Sequence, residues 1–247
     1  MFPVIQLGPF TVPASALILL VGLWLGLVLS ERYAKGNKKE VEVLGNLLFY
    51  GMTAALIGAR LGYALRYPSA FIESPASLIS LNQGLLDPWS AVAGALIVGI
   101  VYGQRKDLKL WATLDNLTIG LAVFGAALGL SQLASGQGYG LPSEVPWAIE
   151  LWGAARHPSQ VYEILAAGFI LAFVLRSLRE TKPQAGLLFI QFVSISAGAR
   201  LYLEAFRGQG LLLPNGWRVA QIVAWVVLAV SLWGYWRLNK ERQSAVR

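Results

Sequence analysis

The amino-acid sequence predicts an all-α polytopic membrane protein: a bundle of seven transmembrane helices with its N-terminus outside and its C-terminus in the cytoplasm. Three observations predict it. Hydrophobic residues fill 56% of the 247 positions and charged residues only 13%, about half the charged share of a soluble domain. Several apolar runs approach or exceed the roughly 18 residues needed to cross a hydrocarbon core about 30 Å thick. Lys and Arg gather in alternate connections between those runs, the pattern of a chain threaded back and forth across a membrane. A β-barrel would instead alternate over segments of about ten residues.

The first span covers residues 15–30. No basic segment and no convincing small-residue cleavage site accompany it, so it is expected to stay rather than be removed as a signal peptide. The second covers 43–67. The third, 88–104, is short for a span, and either starts before Trp89, tilts, or is interrupted by its glycines. The remaining spans are 114–135, 159–175, 185–206 and 217–236. All seven are expected to form one integral membrane domain over residues 1–247.

Orientation follows from charge. Arg32, Lys35, Lys38 and Lys39 follow the first span, and Arg105, Lys106 and Lys109 follow the third. Arg176, Arg179 and Lys182 follow the fifth, and Arg237, Lys240, Arg242 and Arg247 lie in the tail. These fourteen of the 20 cations mark the cytoplasmic face. Anionic lipid there accounts for the net charge of +7 without a nucleic-acid partner. The chain has no cysteine, which excludes disulfides and thiolate metal sites, so any reacting thiol comes from a substrate. No metal-ligand set is visible, and no cofactor is implied. GLSQLASGQGYGLP lacks the GK[ST] ending of a phosphate loop. Trp89, Trp147, Trp152 and Trp217 read as interfacial anchors.

Six arginines remain, of which Arg66, Arg156, Arg207 and Arg218 sit at outer ends or in outer loops, while Arg60 and Arg200 lie inside spans. An arginine within a span costs at least about 2.5 to 3.5 kcal/mol, so two at similar depth call for a common reason. Arg200, Glu204 and Arg207 share one helical stripe by spacing, as do Arg60, Tyr63 and Tyr67. The fourth span brings Gln132 and Gln137 to the same side, and the fifth brings Gln160 and Glu163. Four helices thus contribute to one polar layer. Either the arginines pair with Glu163 and Glu204, or snorkel, and merely fix the helices; or the layer binds an anionic head group, two guanidiniums holding phosphate oxygens. Arg60, Arg200 and Arg207 against Glu163 and Glu204 leave one positive charge for a phosphodiester. His157 is the chain's single histidine, in Arg156-His157-Pro158-Ser159-Gln160-Val161-Tyr162-Glu163. At a helix start it is either a structural hydrogen-bonder or a base, with Pro158 suited to a first helical turn.

RHPSQVYE is similar to the RHPSQLYE motif of prolipoprotein diacylglyceryl transferases. GARLGYALRYP of span two resembles that family's ARLGY segment, and GARLYLEAFR of span six its R-x-x-x-E-x-x-R segment. Gln221-Ile222 is similar to its Q-I-x-S, and Gly8-Pro9 before the first helix also fits. The resemblance covers nearly the whole length in order. It implies transfer of a diacylglyceryl group from phosphatidylglycerol to a lipobox cysteine thiol in a prolipoprotein signal peptide, at the outer face of the bacterial inner membrane. It also implies Arg200, Arg60 and Arg207 on the phosphate, Glu204 positioning them, and His157 as the available imidazole.

Several polar residues of the family pattern are replaced. Against its GRxGNFxNxExxG signature, residues 128–140 put Gly129 for arginine, Gln132 and Ser135 for the two asparagines, and Gln137 for glutamate. The family's HGG aligns with Val92-Ala93-Gly94, and a first-span tyrosine with Ser15. General-base help is typically worth about 10²- to 10⁴-fold. The chain is therefore either a divergent transferase with a rearranged site or a catalytically silent relative, kept as a lipid-binding or scaffold subunit of a membrane complex. A solute transporter is disfavoured, since no inverted repeat stands out.

Overall fold

The computed structural model describes residues 4–7, 10–34, 38–73, 86–179 and 184–246. Gly8, Pro9, Lys35, Lys182 and Arg247 lie outside them. After a hairpin of β1 (Val4–Leu7) and β2 (Phe10–Pro13), the seven predicted spans fall on seven helices: α1 (Ala14–Tyr33), α2 (Lys38–Arg66), α4 (Pro88–Arg105), α5 (Leu110–Ser135), α6 (Ser159–Ser177), α7 (Leu187–Leu203) and α8 (Val219–Val246). A short α3 (Pro68–Glu73) follows α2. Six of the seven are long and apolar enough to cross a membrane, α4 being the exception. The chain is a polytopic helical membrane protein. Its glycines do not break α4, which runs unbroken to Arg105.

The chain divides into two compact units, residues 34–113 and residues 1–33 with 114–247. In the first, α2 and α4 touch backbone to backbone. A Cβ on Gly58 would lie 2.6 Å from the Ser90 carbonyl oxygen, and one on Gly94 2.6 Å from that of Ala54, the close approach that small residues permit between membrane helices. Asp87 is the N-cap of α4, with Pro88 at the start of the helix. Its Oδ2 accepts from the Ser90 amide at 2.8 Å and the Ser90 hydroxyl at 2.6 Å, and its Oδ1 pairs with Arg66 Nη1 at 3.0 Å. The Ser90 hydroxyl, then its amide, and more weakly Arg66 hold the Asp87 carboxyl below its ordinary range, against the opposing effect of burial. The predicted site residues Arg60 and Tyr63 belong to this unit. Both are half-buried on α2, and Tyr63 packs on the rings of Tyr67 at 4.8 Å and Phe71 at 6.1 Å.

The larger unit holds α1, most of α5, and α6 to α8. Its core is Ile119, Ala122, Val123, Val174 and Leu188. α1 and α5 meet through small residues: a Cβ on Gly22 would collide with that of Ala127, and the Ser131 hydroxyl donates to the Ser15 carbonyl at 3.0 Å. α7 is capped from a distance by Asp115 of α5, which accepts from the Gly186 amide at 2.6 Å and the Phe189 amide at 2.9 Å. A carboxylate there satisfies two otherwise orphaned amides and complements the helix dipole. This fixes α7, and with it the arginine at its other end.

Two small hairpins stand where α5 ends and α8 begins. β3 (Ile149–Leu151) and β4 (Ala154–Arg156) pair antiparallel about Trp152 and Gly153, both at positive φ, as a two-residue hairpin turn of the mirror-image type requires. In the second, the Leu213 amide donates to the Trp217 carbonyl at 2.8 Å, the Val219 amide donates to Leu211 at 3.0 Å, and Leu212 sits opposite Arg218. Its loop is Pro214-Asn215-Gly216, with Gly216 at φ 83°.

Candidate active site

Arg200 occupies the last turn of α7, and one turn on its Nη2 meets Glu204 Oε2 at 2.8 Å. Glu204 is 1% exposed. Arg200 Nη1 also lies 3.5 Å from Glu163 Oε1, an oxygen that Arg207 Nη1 holds at 2.5 Å. The other Glu204 oxygen faces Arg218 Nη1 at 3.6 Å. Three guanidiniums thus surround two carboxylates, with Arg207 and Glu204 buried and Arg200 the most open at 42% side-chain exposure. In surroundings of low dielectric such pairs are strongly coupled.

The expected stripe through Arg200, Glu204 and Arg207 is helical only in its first step. α7 ends at Leu203, Glu204–Phe206 tighten into a 3₁₀ turn, and Arg207 is extended. Arg207 reaches Glu163 from a β-bridge with Gly140, where the Leu141 amide donates to the Phe206 carbonyl at 2.9 Å and the Gly208 amide to that of Tyr139 at 2.8 Å. Pro158 likewise sits one place earlier than expected, as the N-cap of α6.

The glutamines meet this cluster along the segment after α5. Gln160 is fully buried and its Nε2 donates to the Gln137 carbonyl at 3.1 Å, while the Gln137 side chain is exposed. The Ser159 hydroxyl donates to the Gly138 carbonyl at 2.6 Å, and the Gly138 amide to Gln209 Oε1 at 3.2 Å. Gly138 has φ 67°, and a Cβ there would lie 2.7 Å from Gln132 Oε1 and 2.9 Å from Arg207 Nη2. Only glycine suits both its backbone and its neighbours. Among the described residues, Gln132 Oε1, Gln160 Oε1 and Arg207 Nε are buried without a hydrogen-bond partner. Such atoms are costly to leave unpaired.

His157 packs in an aromatic group beside the cluster. Its Nδ1 is 3.3 Å from the Tyr162 hydroxyl, which accepts from Trp147 Nε1 at 2.6 Å, and its ring meets Phe206 edge-on at 5.3 Å. Arg156 lies over the Tyr139 ring at 4.8 Å and donates to the Leu151 and Gly140 carbonyls at 3.0 and 3.3 Å. RHPSQVYE therefore ties the loops together and sends Glu163 to the arginines.

Residues 3–237 match the model of prolipoprotein diacylglyceryl transferases. The chain belongs to that family. The phosphatidylglycerol–prolipoprotein diacylglyceryl transferases of Brucella anthropi, Brucella canis and Brucella ovis are each 28% identical to it over 259 residues, covering 96% of this chain and 92% of theirs.

Three of the positions that the sequence reading set against polar residues of the family pattern are apolar or tightly packed. Gly129 is buried, and a Cβ on it would lie 3.0 Å from Ile164 Cγ1. Val92, at the place of the HGG histidine, is 54% exposed. Ser15 is buried beneath the Ser131 bond. Sequence reasoning set Arg218 aside as a residue at the end of a span, and left out Ser159, Tyr162 and Gln209. A tally of charge against the neighbouring carboxylates was the one signal for Arg218. The others emerge only when the loop after α5 folds back onto α6.

Proposed function

We propose that this chain moves a diacylglyceryl group from phosphatidylglycerol to a cysteine thiol of a prolipoprotein, at the outer leaflet of a bacterial inner membrane. The observation that carries the reading is the cluster of Arg200, Arg207 and Arg218 about Glu163 and Glu204. Its formal charge is one positive, which complements a phosphodiester. The substrate cysteine loses its thiol proton, since the thiolate is the nucleophile. The sulfur attacks the glyceryl carbon that bears the phosphate, the C–S bond forms as the C–O bond breaks, and the electron pair leaves on the phosphate oxygen as glycerol phosphate. Arg200 and Arg207 neutralise the added charge on that leaving group, with Glu204 and Glu163 positioning them. His157 accepts the thiol proton directly or through water. Gln132, Gln137 and Gln160 line the head-group end.

A second reading rests on Gly129 and Val92, neither of which has a titratable or hydrogen-bonding side chain: the chain binds anionic lipid as a silent subunit of a membrane complex and transfers nothing. The deciding experiment incubates the purified chain in phosphatidylglycerol bilayers with a lipobox peptide and looks for the thioether product by mass. Product above background supports transfer. None, where an active relative works alongside, overturns it.

A further inference from the structure

We propose that Arg218, on the hairpin between α7 and α8, is a phosphate-binding residue of this site and supplies the single positive charge by which the site selects an anionic lipid over a zwitterionic one. The proposal rests on the reading above and adds to it a residue and a basis for selectivity. Without Arg218 the cluster is neutral, since Arg200 and Arg207 are balanced by Glu163 and Glu204. Among the described residues of this unit, no other cation pairs with Glu163 or Glu204. α5 contains no Lys or Arg from Leu114 onward, the only one in α6 is Arg176 in its last turn, and Arg156 is engaged with Tyr139 and two carbonyls.

The geometry separates Arg218 from an ordinary neutralising partner. Arg200 Nη2 stands 2.8 Å from one oxygen of Glu204 without the alignment of a hydrogen bond, and Arg218 stands 3.6 Å from the other, beyond hydrogen-bond distance. Its guanidinium is held near the carboxylate without donating to it. The main-chain bonds of the 211–219 hairpin fix its base, and its side chain is 18% exposed, screened from bulk water yet reachable. Two guanidiniums therefore flank one carboxylate, a spacing suited to the two free oxygens of a phosphodiester. Beside them stands Gly210, where a Cβ would lie 3.0 Å from Glu204 Oε1 and 3.5 Å from Arg218 Nη1, so no side chain obstructs the pair from that side. Phosphatidylglycerol and phosphatidylcholine both carry the phosphodiester, but only the first has a net charge. A neutral site gains nothing from that difference, and a site with one positive charge does.

The test is competition between phosphatidylglycerol and phosphatidylcholine for the full chain in mixed micelles, with bound lipid counted by native mass spectrometry. The wild type is expected to favour phosphatidylglycerol about tenfold, equivalent to about 1.4 kcal/mol. Arg218→Gln should bring the ratio to within about twofold of unity, and Arg218→Lys should keep most of it. Gly210→Asp cancels the extra charge while leaving Arg218 in place, and should lose the preference too. That variant decides the matter if Arg218→Gln does not fold. A wild-type preference that survives in Arg218→Gln or in Gly210→Asp overturns the role of Arg218. A wild type with no preference overturns instead the phosphatidylglycerol reading on which it rests.

Discussion

Two carboxylates at helix ends, Asp87 and Glu204, show how the same ion-pair chemistry serves opposite purposes. Asp87 starts α4, where the helix dipole favours an anion, and both its oxygens are engaged, one by Ser90 twice and one by Arg66. One cation answers one anion and the group is closed. Glu204 ends α7, where the dipole disfavours an anion. Its stability depends on Arg200 and Arg218, and through Arg200 it shares in Glu163 and Arg207. Here the charges do not cancel, and buried polar atoms of Gln132, Gln160 and Arg207 have no partner. A closed pair locks two helices, while an unbalanced and partly unpaired cluster suits the anionic head group proposed for it.

The comparison breaks first at Arg200. Arg200→Ala should lower thioether product formation by about 10²- to 10³-fold, the usual scale for losing a charged stabiliser of a leaving group. Its unfolding midpoint should fall as well, because the buried Glu204 loses its nearest cation. A retained rate would remove Arg200 from the phosphate. Asp87→Ala, in the closed pair, should leave the rate within a fewfold of wild type in the same assay.

Glu204→Leu comes next. It leaves Arg200, Arg207 and Arg218 around Glu163 alone and should destabilise the chain by about 1–3 kcal/mol, as buried or half-buried donors lose their acceptor. Thermal unfolding in detergent measures it. An unchanged midpoint would mean that the arginines do not depend on this buried carboxylate.

Much of the fold was legible because hydrophobic length and charge alternation are strong, local signals. The runs 114–135 and 159–175 lie within α5 and α6 by that signal alone. Periodicity could not foresee that α7 tightens at Glu204, because the turn is set by the bridge from Gly140 to Arg207, 67 residues apart in sequence. The cost of charge inside a span, together with helical spacing, led to Arg200, Glu204 and Glu163 before any family motif was needed. Arg218 was missed because its partner lies across a hairpin, and Gln137 contributes its carbonyl rather than the side chain that drew notice.

Gly58 gives the smaller of the packing tests. In an open helix, Gly→Ala gains up to about 1 kcal/mol in helix propensity. Here the added Cβ would fall 2.6 Å from the Ser90 carbonyl oxygen, so α2 and α4 must separate, and a net loss of about 1–2 kcal/mol is expected. The sign of the change in unfolding midpoint decides whether backbone contact holds these two helices.

The smallest effect probes the closed pair through pH. The Asp87 carboxyl is held below its ordinary range by the Ser90 hydroxyl first, so its folded pKa lies under the unfolded value of about 3.9. The unfolded state therefore binds the proton more readily, and the contribution is complete above about pH 4 and lost as pH falls through the depressed folded value. Asp87→Asn keeps a side chain that caps helices well but removes the charge that meets Arg66, an arginine itself 58% exposed and thus a weak partner. Its midpoint should trail wild type slightly and evenly from pH 5 to 8, and the gap should close below pH 4 as the wild-type carboxyl takes up its proton. A gap that widened in acid would show that the carboxylate opposes the fold of α4, and that Asp87 resembles Glu204 more than its complete set of partners suggests.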